Sequence, residues 1–404
     1  MRNQLIKITT LSLLASSIIC AGGYKIPEVS TNGVALSAAN VAHTTGADAA
    51  YYNPANMIFM EDSNSIEVDM LYTGLDATNF KGSGSMAGTD IDAQSETFFI
   101  PSVNYVSGKA GETRIGLSIV VPGGLTKRWT DSPAVDKAEE FSLQVVEINP
   151  TVAFPVGDKL AFAVGFRIIH SEGVVKSTSI ASRDMIGESY DFGYNLALSY
   201  KPTSELDIGL TYRSNVDLTE RGNAKLYMGS TSGLKVYDGG SSVTVPLPAF
   251  LNLAAAYTFE TKTTVEFVYE RNFWSAYKTL DFNYSDTIPV ILQPSFDDPI
   301  AKDWRDTNAF RLGITQDLGD TTLMAGMVYD ESPVPDSSLS FELPDSNSFS
   351  VSFGGRYQIN KEINVGMSAL YSMRETREVD NDDITGEFSN SNVLIASAGI
   401  EYKF

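Results

Sequence analysis

The chain has very few of the residues that catalytic and metal centres need. It contains one cysteine and two histidines among 404 residues. A single cysteine cannot form a disulfide within the chain. Ser171 follows His170 directly, and neighbouring strand residues point to opposite faces, so the two cannot form a nucleophile–base pair. None of the common hydrolase, zinc-protease, phosphate-loop or dinucleotide motifs is present. We therefore expect a protein that is not an enzyme and has no cofactor or metal.

Long apolar runs and positive charge are also scarce. Beyond the N-terminus, no stretch approaches the ~20 continuous apolar residues of a membrane-spanning helix. If the mature chain lies in a membrane, it must do so as a closed barrel, because only helices and closed barrels satisfy their backbone groups in lipid. The net charge of −21 argues against nucleic acid as a partner and favours solvated, acidic loops.

The first 21 residues have the features of a secretory signal peptide. Arg2 and Lys7 accompany an apolar run that ends at Ile19, and Cys20 begins a group of small residues. This run is too short to span a membrane. We expect cleavage between Ile19 and Gly23, which assigns residues 1–21 to the signal. Lipidation of Cys20 is the alternative, although Ile19 stands where that processing signal requires a small residue.

Apolar and polar residues alternate in segments of strand length along the rest of the chain. The clearest segment places large apolar side chains on one face and small or polar ones on the other: Tyr190, Phe192, Tyr194, Leu196, Leu198 and Tyr200 against Asp191, Gly193, Asn195, Ala197, Ser199 and Lys201. Counting such segments predicts about fourteen strands between residues 65 and 404. Alternation of this kind is typical of a transmembrane β-barrel.

The connections between the predicted strands alternate in length. Tight turns, such as residues 155–158 and 202–204, are separated by longer loops, such as residues 218–242 and 285–303. Outer-membrane barrels have short periplasmic turns and long external loops. A water-soluble β-sandwich or propeller also alternates, but tyrosines at the strand ends favour the membrane barrel. We predict an all-β fold, an antiparallel barrel of residues 61–404, with both termini on the periplasmic side.

The segment between the signal and the first strand has a different composition. Residues 22–57 are rich in Gly, Ala, Ser, Thr and Asn and follow neither strand nor amphipathic helix periodicity. Such a segment cannot bury enough apolar surface on its own to offset its ordering entropy. We predict that residues 22–60 form a plug enclosed by the strands.

Two local features are candidates for function. Val121-Pro122-Gly123-Gly124 interrupts the third strand, because proline cannot donate to a ladder and glycine often marks a bulge. A break here could open a gap in the wall, or the strand could simply end at Pro122. Arg305 follows Trp304 near the apolar loop residues of 285–303 and could hold a carboxylate at the mouth of an apolar channel. A surface pair of Arg305 with Asp306 is the alternative.

Five further arginines are predicted to face the lumen. Charges are expected inside any water-filled barrel, so each is weak evidence for a binding site by itself. These residues are Arg114, Arg167, Arg213, Arg311 and Arg356.

Several stretches resemble the FadL family of outer-membrane transporters for long-chain fatty acids and other hydrophobic compounds. They are AGGYKIPE, YYNPANM, RIGLSIVVPGGLTKRW, LTYRSNVDL, WRDTNAFRLG and YDESPVPDSSLSFELPDSNSFSVSFGGRYQINK. The resemblance covers essentially the whole mature chain. It implies a fourteen-stranded barrel in the bacterial outer membrane, closed by an N-terminal hatch. Substrate would pass from a groove on the external loops to an internal pocket, and leave sideways at a kink in the third strand.

The resemblance also assigns roles to individual residues. Asn53, Pro54 and Ala55 match the hatch motif, and Tyr24 matches an aromatic residue that reaches the internal pocket. Pro122, Gly123 and Gly124 match the kinked segment, with Gly124 at the kink. Arg305 matches a basic residue that holds the carboxylate. Lys176 is the candidate second basic partner near the top of the fifth strand, although it is offset from the family position.

The offset of Lys176 leaves the substrate open between long-chain fatty acids and aromatic hydrocarbons. The expected partners are such hydrophobic small molecules, together with outer-membrane lipid and lipopolysaccharide, and we expect a monomer. Two other functions remain possible on the same barrel. A general diffusion porin would need an open lumen, and a surface adhesin without transport would act through its long acidic loops.

Overall fold

The computed structural model describes residues 22–404, so the predicted signal peptide lies outside the described residues. Fourteen antiparallel strands form the wall. Their bounds are β1 (Ser65–Leu75), β2 (Glu96–Val106), β3 (Arg114–Arg128), β4 (Glu140–Val156), β5 (Leu160–Ser177), β6 (Ala181–Tyr200), β7 (Leu206–Arg213, continued by Val216–Met228), β8 (Leu234–Leu247, continued by Phe250–Thr258), β9 (Thr263–Asn272), β10 (Thr307–Asp317), β11 (Thr321–Asp330), β12 (Ser348–Gln358), β13 (Ile363–Arg374) and β14 (Val393–Lys403).

The wall closes on itself. β1 pairs with β2 on one side and with β14 on the other, in a continuous register from Ser65–Lys403 to Leu75–Val393. Closure leaves the sheet without a free edge and, apart from a stretch between β2 and β3, pairs its backbone groups within the wall. The predicted antiparallel barrel of fourteen strands is confirmed.

The wall is apolar outside and polar inside, as the alternation predicted. Along β6, Phe192 and Tyr194 are 61% and 51% exposed, whereas Asn195 and Ser199 are buried. A water-soluble protein would bury the aromatic side chains instead. A face of this kind fits contact with lipid.

Helices are few and short. Four α-helical turns cover Thr31–Ala35, Ala49–Tyr52, Val135–Ala138 and Gln293–Phe296, and 3-10 turns cover Pro54–Phe59, Gly84–Met86, Trp274–Ala276, Val290–Leu292 and Asp336–Ser338. Among residues 22–404, no helix is long and apolar enough to cross a membrane.

The long loops carry small sheets of their own. One has four strands, Asn79–Gly82, Asp90–Asp92, Arg377–Asp380 and Thr385–Ser389, and a second pairs Thr279–Leu280 with Ile300–Ala301. Phe282–Tyr284 pairs with β8. The structure differs from expectation between residues 218 and 242, which continue β7 and β8 as a paired ladder. Their polar composition suggested a loop, but cross-strand pairing satisfies the backbone groups and holds the segment extended.

Residues 22–60, here called the N-terminal segment, lie inside the barrel, and nearly all of residues 22–57 are buried. The wall holds them by hydrogen bonds from several sides. Glu266 of β9 accepts backbone N–H groups of Val41 and Ala42 at 2.6 and 2.7 Å. Thr31 donates to Asp69 of β1 at 2.6 Å. The segment is therefore ordered by the lumen, not by a core of its own.

Lumen-facing glycines bring the wall close to the N-terminal segment. A Cβ placed on Gly326 of β11 would overlap the backbone of Leu36, and one on Gly313 of β10 would lie 3.0 Å from the carbonyl oxygen of Ala39. Glycine is thus needed at Gly326, because the two backbones approach more closely than any side chain permits.

Candidate functional site

β3 is interrupted at Val121-Pro122, as the sequence suggested, but it does not end there. It continues to Arg128, and its pairing with β4 slips between Val120 and Gly123. Two residues of β3 thus stand opposite one residue of β4, which bends the bulged strand.

The ladder between β2 and β3 is short. It joins only Val103–Val106 to Gly116–Ile119. Above this ladder, at the level of the bulge, β2 and β3 separate. They meet again near the end of β3, where Arg128 forms an ion pair of 2.8 Å with Glu96. The two neighbouring strands therefore frame an opening in the hydrogen-bonded wall.

The N-terminal segment takes up the backbone groups that β2 leaves free. Ile26 donates its N–H to the carbonyl oxygen of Pro122 at 2.9 Å, and Gly124 donates to the carbonyl oxygen of Tyr24 at 2.8 Å. The predicted kink residues Pro122, Gly123 and Gly124 therefore lie directly against the start of the N-terminal segment.

Tyr24 lies at the centre of an aromatic cluster. Its ring centroid is 4.8 Å from that of Trp274, 5.8 Å from that of Trp304 and 6.4 Å from that of Tyr277. The hydroxyl group donates to the carbonyl oxygen of Pro246 in β8. Burial raises the pKa of Tyr24 well above its usual range, so the hydroxyl stays a neutral donor.

Beside Tyr24 lies a narrow apolar cavity, here called the main cavity. It lies between β3, β4, β5, β7, β8 and the long loops before β10 and β12. Most of its lining is aliphatic or aromatic, including Leu125, Leu143, Val175, Val245, Leu280 and Phe282. A mostly apolar cavity with few polar groups is the usual form of a site for a hydrophobic ligand.

Few charged groups line the main cavity. The ammonium of Lys302 forms an ion pair with Glu342 on the loop before β12. Burial alone raises the pKa of Glu342, but the neighbouring Lys302 outweighs it and lowers that pKa to about 2. Glu220 of β7 also lines the cavity, and both of its carboxyl oxygens are buried without a hydrogen-bond partner among the described residues.

A smaller pocket with two cationic side chains, Lys127 and Arg374, adjoins the main cavity across Leu343, and we call it the cationic pocket. The exposed Asp76 also lines it. Lys127 of β3 is buried and donates to the Thr78 hydroxyl at 2.8 Å, with no carboxylate in ion-pair distance among residues 22–404. Arg374 of β13 pairs with Asp345 at 2.9 Å and keeps its Nε and one Nη unpartnered. The cationic pocket can therefore accept an anion.

Comparison with known proteins agrees with this architecture. Residues 12–404 match the family model described as outer membrane protein transport protein (OMPP1/FadL/TodX). The chain belongs to this family. It is 21% identical over 402 residues to the long-chain fatty acid transport protein of Escherichia coli O6:H1, a match that covers 89% of this chain and 88% of that protein. The protein is thus an outer-membrane transport protein.

Solved structures of other OMPP1/FadL/TodX proteins share the fold. A FadL homologue from Pseudomonas aeruginosa superposes with a TM-score of 0.83 at 18% identity, covering 94% of this chain and 99% of that one. The Pseudomonas putida toluene transporter TodX gives a TM-score of 0.73 at 16% identity, covering 94% and 98%. These likenesses establish a common architecture.

The two basic residues singled out from the sequence do not line the main cavity. Arg305 is exposed, and its backbone N–H donates to the carbonyl oxygen of Pro333. Lys176 forms an ion pair of 2.7 Å with Glu140. Its neighbour Val175 lines the cavity instead, because adjacent strand residues face opposite sides.

Asn53, Pro54 and Ala55 lie at a helical cap in the N-terminal segment. Asn53 caps the turn Pro54–Phe59 by accepting the N–H of Ala55 at 3.1 Å, and it donates to the carbonyl oxygen of Val41 at 2.8 Å. Proline at the first helical position loses no hydrogen bond. Asn53 thus joins two parts of the N-terminal segment to each other.

The lumen arginines are buried, and they hold the wall and the N-terminal segment together. Arg356 donates to Asn32 at 2.5 Å and pairs with Glu67, while Arg311 donates to the carbonyl oxygen of Ser37 at 2.9 Å. Arg167 and Arg213 both pair with Glu147, and Arg213 also donates to the carbonyl oxygen of Tyr51. Arg114 donates to the carbonyl oxygen of Glu61, directly after the segment. Arg114, Arg213 and Arg356 keep guanidinium N–H groups without a partner among the described residues, but none of the five arginines lines the main cavity.

Sequence reasoning missed Lys127, Glu220, Lys302 and Arg374. Lys127 lies three residues after Gly124, and Lys302 lies three residues before Arg305. The sequence motifs therefore identified the correct regions of the chain but not these two residues. A two-residue alternation from Leu125 places Lys127 on the cavity side of β3, which is a usable signal. Glu220 gave no signal, because it lay in a stretch that reads as a polar loop.

Proposed function

We propose that this protein is a passive channel that carries hydrophobic molecules, long-chain fatty acids first, across the outer membrane. The observation that carries the proposal is the contact between Tyr24 and Gly124. It places the main cavity, the N-terminal segment and the opening between β2 and β3 next to one another. Binding in the cavity can therefore act directly on the wall.

The exit we propose is sideways, through the opening at the β3 bulge. The N-terminal segment occupies the lumen, so a route along the barrel axis would require its displacement. An apolar molecule that left along this axis would also meet the buried arginines and carboxylates of the lumen. Exit between strands delivers it to the lipid-facing side, where no desolvation of polar groups opposes it.

Capture is proposed to begin at the loop between β9 and β10. Val290 and Ile291 of this loop are 77% and 71% exposed, an unusual position for large aliphatic side chains. Arg305 lies at the end of the same loop and is exposed. We propose that Arg305 attracts a carboxylate there before the apolar chain enters the main cavity.

The cationic pocket supports fatty acids as substrates. A carboxylate between Lys127 and Arg374 would accept charge-assisted hydrogen bonds from donors that have free capacity. The adjoining main cavity would hold the alkyl chain past Leu343. The long-chain fatty acid transport protein of Escherichia coli O6:H1 is a relative with that named function.

An uncharged hydrocarbon is the second candidate substrate. The ammonium of Lys302 inside the main cavity is already neutralised by Glu342, and the other lining is largely apolar. A hydrocarbon would thus fill the main cavity without using the cationic pocket. The toluene transporter TodX, which shares the fold, is named for such a substrate.

Replacing Gly124 by valine tests the proposed exit. A β-branched side chain favours a straight, paired strand, so Gly124→Val should narrow the opening. We expect uptake of radiolabelled palmitate by a Gram-negative host that lacks its own channel of this class to fall about tenfold, equivalent to ~1.4 kcal/mol on the barrier. Gly108→Val is the control, because a Cβ there makes only ordinary contacts at 3.5 Å or more in a periplasmic turn. Equal uptake by both variants, with folded barrels, would contradict lateral exit.

A further inference from the structure

Glu220 is the one acidic side chain lining the main cavity that no basic group neutralises among the described residues; Glu342, the other, pairs with Lys302. It is only 3% exposed, and neither carboxyl oxygen is in hydrogen-bond geometry with a described residue. The nearby hydroxyl of Ser171 lies 2.8 Å from the hydroxyl of Ser189 instead. A buried polar group without a partner is expensive, and native proteins retain few of them. The position therefore needs an explanation beyond packing.

The wall is shaped around this carboxyl group. A Cβ on Gly173 of β5 would overlap the Oε2 atom of Glu220, and a Cβ on Gly187 of β6 would lie 3.3 Å from the Glu220 Cβ. Gly173 and Gly187 are cross-strand partners. Two adjacent glycines thus leave space for the Glu220 side chain to lie along the wall between the main cavity and the small apolar pocket behind it.

We propose that Glu220 is a specificity residue that binds the hydroxyl group of an uncharged, hydroxylated hydrophobic substrate, such as a long-chain alcohol or a phenol. This inference rests on the proposed function, because it names a substrate class for the same main cavity. The hydroxyl group forms the hydrogen bond that the protein itself does not supply, while the apolar part of the substrate contacts residues such as Val175, Val243 and Phe282.

A hydroxyl group fits Glu220 better than the other candidate head groups. It can donate to a carboxylate and accept from a carboxylic acid, so it satisfies Glu220 in either protonation state. A substrate carboxylate offers acceptors only, and beside an ionised Glu220 it meets a like charge. A plain hydrocarbon leaves Glu220 unsatisfied. Binding sites with an unpaired buried polar group discriminate strongly against ligands that lack its partner.

Equilibrium binding of two ligands of equal chain length tests the proposal. Radiolabelled dodecanol and dodecane are titrated into the mature protein in lipid nanodiscs, and partition into empty nanodiscs is subtracted. We expect the wild-type protein to bind dodecanol at least about tenfold more tightly than dodecane, which corresponds to ~1.4 kcal/mol. Glu220→Leu should abolish this preference. Glu220→Gln should keep most of it, because an amide also donates and accepts.

Glu188→Gln is the matched control, because it removes an exposed carboxyl group from the neighbouring strand β6. It should leave the preference for dodecanol unchanged. If Glu220→Leu keeps the preference, or if the wild-type protein binds both ligands equally, the role of Glu220 is wrong while the transport proposal stands. If the wild-type protein binds neither ligand above empty nanodiscs but binds palmitate, the role of Glu220 is wrong and the transport proposal stands. If it binds none of the three, the proposed function itself fails.

Discussion

The backbone N–H of Gly124 lies 2.8 Å from the carbonyl oxygen of Tyr24. This bond joins the β3 bulge to the residue whose ring lines the main cavity. A ligand that moves the backbone of Tyr24 would therefore strain or break the contact that supports the edge of β3. The extent to which a ligand in the main cavity can open the wall is then limited by the difference between its affinities for the closed and the open arrangement of the wall.

The first prediction concerns the close approach of Gly326 to Leu36. Gly326→Val places a side chain where the backbone of Leu36 now lies, so the middle of the N-terminal segment must move. The wall itself should remain closed, because β11 keeps its pairing with β10 and β12. In planar bilayers, we expect the wild-type protein to show almost no single-channel conductance and Gly326→Val to show a clearly higher one.

Ala325→Val is the control for this change. Ala325 is the adjacent residue of β11 and is exposed on the outer face. The substitution Ala325→Val places the same valine side chain on the lipid-facing side of the wall and should leave the conductance low. A folded Gly326→Val barrel with wild-type conductance would contradict the view that the N-terminal segment blocks the lumen.

The second prediction is a pH dependence of the N-terminal segment. Asp48 accepts hydrogen bonds from Ser30, Asn32 and Asn40 through one carboxyl oxygen, while the other has no partner. Burial raises the pKa of Asp48 from 3.8 to about 6, and Arg356 lowers it only in part. The folded state binds the proton of Asp48 more tightly than the unfolded state does, so protonation of Asp48 stabilises the fold. This stabilisation is full below about pH 4 and is lost as the pH rises through about 6.

Comparing the wild-type protein with Asp48→Asn measures this effect. The amide imitates the neutral acid and does not titrate. Between about pH 4 and pH 7, the free energy of unfolding of the wild-type protein should therefore fall relative to that of Asp48→Asn, by at most about 3 kcal/mol. Asp320→Asn, in the exposed turn between β10 and β11, should show no such trend. A constant difference between the wild-type protein and Asp48→Asn across this range would refute the assignment.

The third prediction separates the two proposed steps of carboxylate recognition. Lys127→Met removes a buried donor from the cationic pocket and should weaken palmitate binding about tenfold to a hundredfold, as expected for a charge-assisted hydrogen bond. Hexadecane binding should not change. Both affinities are measured by equilibrium binding in nanodiscs.

Arg305→Gln serves as the comparison, since Arg305 is exposed. It should mainly slow palmitate association at low ionic strength, and added salt should remove the difference. Equal loss of palmitate and hexadecane binding in Lys127→Met would exclude a carboxylate role for the cationic pocket.

Much of the architecture could be predicted from the sequence because it depends on local period. Alternation of period two, as in residues 190–201, places every second side chain against lipid, and turn residues mark where each strand ends. The break at Pro122 was visible for the same reason, since proline has no backbone N–H in any context. The extension of β3 to Arg128 was not visible, because it depends on pairing with β4 and on contacts of Pro122 and Gly124 with Ile26 and Tyr24, about a hundred residues earlier in the chain.

The sequence by itself determined that this chain forms an outer-membrane barrel with a small-residue segment too poor in apolar side chains to fold alone. Only the tertiary structure decided which charged groups line the main cavity. A shift of one residue exchanges the two faces of a strand, so Val175 lines the main cavity and Lys176 does not. The space around the Glu220 carboxyl group likewise depends on Gly173 and Gly187 of two other strands, and a local sequence pattern does not show such contacts.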